Sequence, residues 1–127
     1  MKIERKTHRD RTTGLEVTQW TDYKGHSHHF YFTNPGWYDG GTKLLFGSDR
    51  GNRTNLFGLD LATGEIEQMT DLDPVPLPRE LEFVRACKNP VREEAYFMHD
   101  LNVMAVDLKT KKLRVLHEMA PQWIVSQ

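Results

Sequence analysis

A twelve-residue segment of this chain occurs twice, and each copy follows a run that is typical of a β-strand. Residues 55–66 (NLFGLDLATGEI) return 47 positions later as residues 102–113 (NVMAVDLKTKKL). The preceding runs, residues 43–49 (KLLFGSD) and 94–100 (EAYFMHD), are 51 positions apart, so the second copy is four residues shorter between its strands. Alternating apolar residues separated by short turns predict antiparallel hairpins in both copies.

The length of the repeat predicts the fold class. A sheet unit that recurs about every 40–50 residues is the sequence signature of a β-propeller blade. We therefore predict an all-β protein with about two four-stranded antiparallel blades, which is a partial propeller because closed rings have about 4–8 blades. The predicted strands are residues 16–21, 28–33, 43–48, 55–60, 65–69, 80–87, 94–99, 102–107 and 112–117.

A third copy of the pattern sets the phase of the blades. Residues 13–22 resemble residues 63–71, the last strand of a blade, with one residue inserted. We therefore expect residues 13–22 to be an orphan N-terminal strand that closes a blade absent from this chain. The single predicted domain then comprises this strand, a first blade, a second blade and the start of a third, at residues 13–22, 26–71, 79–118 and 121–127.

Composition excludes several classes of partner. The 127 residues carry a net charge of −1 with both signs interspersed, so no basic stripe for nucleic acid is expected. The chain has no apolar run of the roughly 20 residues that span a bilayer, and its polar start does not resemble a signal peptide. We expect a cytoplasmic protein that does not bind membranes. Exposed blade edges in an open sheet stack would favour self-association.

Histidines are concentrated in one segment, where three of the six lie within residues 26–29. Strand alternation places His26 and His28 on one face and His29 on the other. Two neutral imidazoles on one face can chelate zinc, manganese or iron. The same side chains could instead donate hydrogen bonds to an anionic or sugar ligand, or to backbone carbonyls at the start of an inner strand. Inner strands line a propeller's channel, so a binding role has support.

A polar loop over residues 48–55 is the second candidate for binding. Its Arg50 and Arg53 guanidiniums suit bidentate capture of a carboxylate, although a solvated hairpin loop would have the same composition. The corresponding loop of the second blade is reduced to residues 100–102, which favours a specific role for the longer loop. Trp37 and Tyr38 could stack on a sugar ring.

Several of these segments together resemble the N-terminal part of the oligogalacturonate lyase family. They are residues 13–18 (TGLEVT), 28–34 (HHFYFTN), 41–48 (GTKLLFGS) and 55–64 (NLFGLDLATG). The resemblance covers nearly the whole chain but only part of the family's usual length. It implies a portion of a seven-bladed propeller that acts in the cytoplasm on short oligogalacturonides derived from pectin.

The resemblance also implies a reaction, which is β-elimination. A base removes the proton next to the C6 carboxylate, the C4–O bond breaks and an unsaturated uronide forms. A divalent metal, with arginine assisting, neutralises the carboxylate as charge develops. In the family, three histidines and a glutamine hold manganese and a histidine is the base. These residues belong to later blades, so we expect Mn²⁺ only in the complete family protein.

The residues carried over from the family are therefore few. We expect this chain alone to bind no metal and to be inactive, with the base outside it. Alternatives are a non-catalytic propeller-repeat module that closes by self-association and a small protein that binds metal through His26 and His28. The candidate substrate-binding residues are His26, His28, His29, Trp37, Arg50 and Arg53.

Overall fold

The computed structural model describes residues 2–31, 33–74 and 86–119. Regular structure within these ranges is β-strand apart from one 3-10 turn at Arg50–Asn52. The strands are β1 (Lys2–Ile3), β2 (Lys6–Arg9), β3 (Glu16–Gln19), β4 (Ser27–His29), β5 (Trp37–Tyr38), β6 (Lys43–Ser48), β7 (Asn55–Asp60), β8 (Glu65–Gln68), β9 (Cys87–Lys88), β10 (Glu94–His99), β11 (Asn102–Asp107) and β12 (Leu113–Glu118).

The first blade is an antiparallel sheet in the order β1-β8-β7-β6-β4, with β5 also paired to β6. Phe46 lies opposite Phe57 in its central pair. The predicted strand over residues 28–33 is shorter than expected, because β4 ends at His29 and the edge resumes at Trp37. The bend between them brings the Gly36 carbonyl within 2.8 Å of the Leu45 amide, an approach that leaves no space for a Cβ.

The second blade repeats this arrangement in the order β12-β11-β10-β9. Phe97 lies opposite Met104, as Phe46 lies opposite Phe57 in the first blade. The predicted all-β fold of antiparallel blades is therefore confirmed. Of the predicted strand over residues 80–87, only its end falls in the described residues, in β9. The predicted start of a third blade at residues 121–127 lies outside them.

The two blades bury one apolar core. Leu45 and Leu56 of the first blade belong to the same buried cluster as Phe97 and Val106 of the second. Burying a side chain of this size contributes about 1.5–3 kcal/mol. The full buried cluster comprises Phe30, Tyr38, Leu45, Leu56, Met69, Leu72, Ala86, Ala95, Phe97, Met104, Val106 and Leu108.

The opposite face of the first blade is covered by residues 4–23, which we call the N-terminal segment. Trp20, which follows β3, packs against a second buried cluster that contains Phe46 and Phe57. Arg5 lies over the Trp20 ring and also donates to the Ala62 carbonyl at 3.2 Å. The N-terminal segment therefore completes the packing of that blade.

The same type of turn joins the two strands in each of three hairpins. The Asp60 carboxylate accepts hydrogen bonds from the amides of Ala62 and Thr63, and Asp10 and Asp107 make the same pair of bonds. These turns join β7 to β8, β2 to β3 and β11 to β12. The sequence reading missed β2, and β3 pairs with it rather than standing alone. That this hairpin completes an absent blade stays a prediction.

Gly58 gives space to a buried tyrosine, and we expect its replacement to be costly. A Cβ at this position would overlap the Tyr38 hydroxyl and lie 3.1 Å from Tyr38 Cζ. Gly58→Ala should lower the free energy of unfolding by about 1–3 kcal/mol, the usual cost of overpacking. Urea denaturation measures this change. In the Tyr38→Phe background, Gly58→Ala should cost less stability because the hydroxyl is absent. An equal loss of stability with Tyr38 and with Phe at position 38 would show that Gly58 does not make space for this hydroxyl.

The Asp turns should make stability sensitive to acid. Turn amides, first those of Thr63 and Thr110, lower the pKa of Asp60 and of Asp107 below the ordinary 3.8. The stability that they contribute is complete above that ordinary value and is lost as pH falls through the lowered pKa values. We compare the parent with the double variant Asp60→Asn/Asp107→Asn by urea denaturation between about pH 5 and pH 2. The free energy of unfolding should decrease less with falling pH in the variant than in the parent.

Two controls accompany this acid titration. Asparagine keeps the acceptor oxygen, so the double variant should stay folded at neutral pH. Asp73→Asn removes one of the chain's most exposed carboxylates, whose side chain is 99% accessible, and should leave the slope as in the parent. If the free energy of unfolding of the double variant falls with pH as steeply as that of the parent, these turns do not determine the sensitivity to acid.

Candidate functional site

The inner edge of the first blade gathers most of the predicted site residues. His28 and His29 lie on β4, opposite Gly47 and Phe46 of β6, and His26 immediately precedes that strand. Trp37 lies farther along the same edge, opposite Leu44, with half of its surface exposed. These four aromatic side chains therefore follow one sheet edge, the position from which a propeller lines its channel.

Asp49 fixes the position of His26. The ring Nδ1 lies 2.7 Å from Asp49 Oδ2, and the His26 backbone amide donates to Oδ1 at 2.6 Å. A carboxylate can only accept, so Nδ1 carries the proton in this pair. The hydrogen bond from the His26 side chain is the main reason that the pKa of Asp49 is lowered. The His26 side chain remains 75% exposed, so it is oriented but accessible.

His26 and His28 lie on the same face, as strand alternation predicts. Their rings stack with centroids 5.9 Å apart and an angle of 8° between planes. Parallel rings at this distance do not converge on one ion, and protein zinc sites use three or four protein ligands. Among residues 2–31, 33–74 and 86–119, no group of three His, Cys, Asp or Glu side chains could hold a metal. The metal-binding alternative stays a prediction.

His29 makes a backbone hydrogen bond. Its Nδ1 donates to the carbonyl of Phe30 at 2.6 Å. This is the structural role that the sequence left open for the histidine segment, and here it applies to one of the three rings. His29 is nevertheless exposed, so a contact with a ligand stays a prediction for it as well.

Arg50 is largely buried rather than part of a solvated loop. Its Nη2 donates to Glu4 Oε1 at 2.6 Å, and the two side chains are only 11% and 4% exposed. Nη1 donates to Ser27 Oγ at 2.9 Å and to Ser48 Oγ at 2.7 Å. The guanidinium carbon also lies over three aromatic rings at 5.2–5.5 Å, those of Tyr23, Phe46 and Phe57. A substrate contact by Arg50 stays a prediction, and these contacts commit it to the interior.

Arg53 points to the end of the first blade. Its Nη2 donates to the Leu72 carbonyl at 2.7 Å, and Nη1 lies 3.1 Å from an Asp71 carboxylate oxygen. The side chain is 39% exposed. The loop thus holds two arginines with different surroundings, and a substrate contact by Arg53 stays a prediction.

Tyr38 cannot stack on a sugar as the sequence suggested. It is buried at 4% exposure, and its hydroxyl donates to Met69 Sδ at 4.0 Å. Burial raises the pKa of the Tyr38 phenol, in keeping with a core position. Its neighbour Trp37 retains the exposure that stacking requires.

The residues that organise this site were not identified from the sequence. Glu4 and Asp49 hold Arg50 and His26, yet they lie 46 and 23 positions away from those partners. The available signal was the loop-length difference between the two blades, which indicated a specific role for the longer loop. It did not indicate that Arg50 would be buried.

Comparison with known proteins supports the family resemblance. No protein-family model matches the chain. An oligogalacturonide lyase of Pectobacterium atrosepticum (strain SCRI 1043) is 26% identical over 119 residues, which cover 93% of this chain and 29% of that relative. The chain is therefore homologous to a curated lyase over nearly all of its own length, while it spans less than a third of the relative's length.

Two solved structures share the fold. An oligogalacturonate lyase in complex with manganese superposes with a TM-score of 0.79 and 26% identity, covering 94% of this chain and 31% of the other. An oligogalacturonate lyase from Vibrio parahaemolyticus gives a TM-score of 0.80 at 24% identity, over 95% and 31% of the two chains. The resemblance to oligogalacturonate lyases that the motifs indicated is thus confirmed.

Proposed function

We propose that this chain forms the N-terminal blades of a lyase that cleaves short oligogalacturonides by β-elimination. The main support is the similarity of nearly the whole chain to oligogalacturonate lyases, at a TM-score of 0.79 for the manganese-bound structure. The blades that supply the rest of such a ring would carry the base. This chain alone is then inactive.

In this proposal the chain supplies one wall of the substrate channel. Each sugar of an oligogalacturonide carries a carboxylate and hydroxyls, which accept hydrogen bonds from imidazole N–H groups. His28 can present such a donor on the exposed edge, and His26, whose Nδ1–H is given to Asp49, presents Nε2, which can accept from a sugar hydroxyl. Trp37 offers a half-exposed aromatic face on the same edge, suited to packing against a sugar ring. These side chains would bind and orient the uronide.

The metal has no counterpart among the described residues. The manganese in the relative supports a divalent ion in the family, and such an ion would stabilise negative charge on the uronate. The described ranges lack any three-ligand group of the kind that holds a metal. The donor set of the described residues therefore does not fit Mn²⁺, and we assign the ion to the remainder of the proposed enzyme.

Cellular location stays a prediction. The parts of the chain that the structure describes include no helix with the length and apolarity to cross a bilayer. The proposed substrate is a short, soluble uronide. We retain a cytoplasmic location as part of the proposal only because the family resemblance implies it.

A second candidate function is a non-catalytic module that closes by self-association. The observation in its favour is β12, which ends the sheet order of the second blade and is exposed along its whole length. Three of its apolar side chains are 39–55% exposed, namely Leu113, Val115 and Leu116. An exposed apolar edge strand is a template for pairing with another chain.

Light scattering separates the two candidates. Self-association through β12 predicts a mass that rises with concentration and falls after Val115→Lys, because edge lysines oppose pairing. Lys112→Arg, beside the strand, keeps the charge and serves as the control. A folded parent protein that remains monomeric at all concentrations would exclude the self-associating module.

Ligand binding and turnover test the lyase proposal directly. With digalacturonate and Mn²⁺, the purified chain should form no unsaturated product, as followed by ultraviolet absorbance. NMR titration with digalacturonate should detect binding. His26→Ala or His28→Ala should weaken it about tenfold, the effect of losing one hydrogen bond.

His8→Ala is the matched control for this titration. His8 is exposed on β2, opposite Val17, and is not part of the inner edge. Its removal should leave the affinity as in the parent. Substantial turnover by a monomer would overturn the inactivity of the chain, and parental affinity in both site variants would overturn the proposed contact.

A further inference from the structure

We propose that Arg50 is a positioning residue, which acts from inside the blade to hold the His26 imidazole where a uronide can reach it. The inference rests on the proposed function, since it concerns how the same edge is organised. It replaces the simpler idea that Arg50 itself captures the substrate carboxylate.

The guanidinium is already hydrogen-bonded through all three of its nitrogens. Nε and Nη2 face the Glu4 carboxylate at 3.4 and 2.6 Å, and Nη1 donates to two serine hydroxyls. The guanidinium carbon also lies over three aromatic rings. Arginine is suited to such a place because its planar fork can serve several acceptors at once. Reaching a substrate would require breaking a buried ion pair.

A short relay joins this arginine to the histidine. Ser48 Oγ accepts from Arg50 Nη1 at 2.7 Å and itself donates to the His26 carbonyl at 2.6 Å. Ser27, next to His26, accepts a second bond from Nη1. The guanidinium therefore fixes both the hydroxyl that bonds the His26 backbone and the residue that follows His26.

Residues 48–50 hold residues 26–27 at several points, and we call this arrangement the clasp. The His26 carbonyl also accepts from the Asp49 amide at 3.3 Å, and both Asp49 carboxylate oxygens bond His26. Gly25 permits this approach, because a Cβ there would overlap Asp49 Oδ1. The clasp thus fixes the backbone and the ring of a residue whose side chain is largely exposed.

The second blade shows that the clasp is not required for the fold. Its central strands are joined by a shorter loop, with His99 and Asp100 at the positions of Ser48 and Asp49 and no arginine after them. The second sheet still forms the same pairing, with Phe97 opposite Met104. The longer loop of the first blade therefore makes contacts that the hairpin itself does not require.

Glu4 links the clasp to the N-terminal segment. Its Oε1 accepts from Arg50 and also from the Asp22 amide at 2.8 Å. Tyr23 adds a bond from its hydroxyl oxygen, which accepts from the Gly51 amide at 3.1 Å. The loop side of the clasp, at residues 50 and 51, is therefore held by the segment that covers the blade.

The test uses the full chain with two variants that cut the relay differently. Ser48→Ala removes the hydroxyl between Arg50 and His26. Arg50→Lys keeps a positive charge beside Glu4 but loses the planar fork that reaches both serines and the carboxylate together. Thr42→Ala is the matched control, because it removes a hydroxyl that donates to the Asp39 carbonyl in another loop.

Three measurements are made on each protein. Nitrogen-15 NMR of the imidazoles reports the fraction of His26 that carries its proton on Nδ1, with His29 as the internal reference. NMR titration with digalacturonate gives the affinity, and thermal unfolding gives the melting temperature. We expect both relay variants to lower the Nδ1–H fraction of His26 and to weaken digalacturonate binding about tenfold, the size expected for His26→Ala.

A purely structural role for Arg50 gives a different result. Lower melting temperatures with a parental His26 tautomer and parental affinity would overturn the proposal. If Arg50→Lys does not fold, Ser48→Ala alone decides. If the parent chain binds no digalacturonate, the proposed substrate contact fails, while the His26 tautomer still shows whether the clasp positions the ring.

Discussion

The first blade is apolar on both faces, and the rest of the structure follows from the need to cover them. Leu45 and Leu56 project to one side of the sheet, and Phe46 and Phe57 to the other. Neither face can remain in water without a large loss of hydrophobic stabilisation. The second blade covers the first face, and the N-terminal segment with Trp20 covers the other. A sheet of this kind is stable only as the middle layer of a stack.

The buried Glu4–Arg50 pair holds that second cover in place. Such pairs add little net stability, because the desolvation of both ions offsets their attraction. Leaving one ion unpaired in the interior is strongly unfavourable, however, so the pair fixes a single arrangement of the N-terminal segment on the blade. The same arginine reaches the serines beside His26, which connects the packing of the segment to the geometry of the exposed edge.

Local patterns were predictable from the sequence, while contacts between distant segments were not. The repeat predicted both blades, and the Asp turns were predictable because their bonds lie within a few residues. The burial of Arg50 depends on Glu4, and the burial of Tyr38 depends on the space at Gly58. Neither relation appears in the alternation of a single strand. The pair of His26 and His28 was predicted because alternate positions along an extended chain lie on the same face.

The turn after Asp107 departs from its two counterparts in a way that affects the outer rim. Lys111 has a φ of 64° where the other turns have Gly14 and Gly64, a conformation that costs a side-chain-bearing residue about 1–2 kcal/mol. Its ammonium pairs with Glu67 on β8 of the first blade. The rim is thus joined by a partly exposed ion pair, whereas the centre is joined by apolar contacts. Salt screens the former and not the latter, so rising ionic strength weakens the contact at the rim and leaves the contact at the core unchanged.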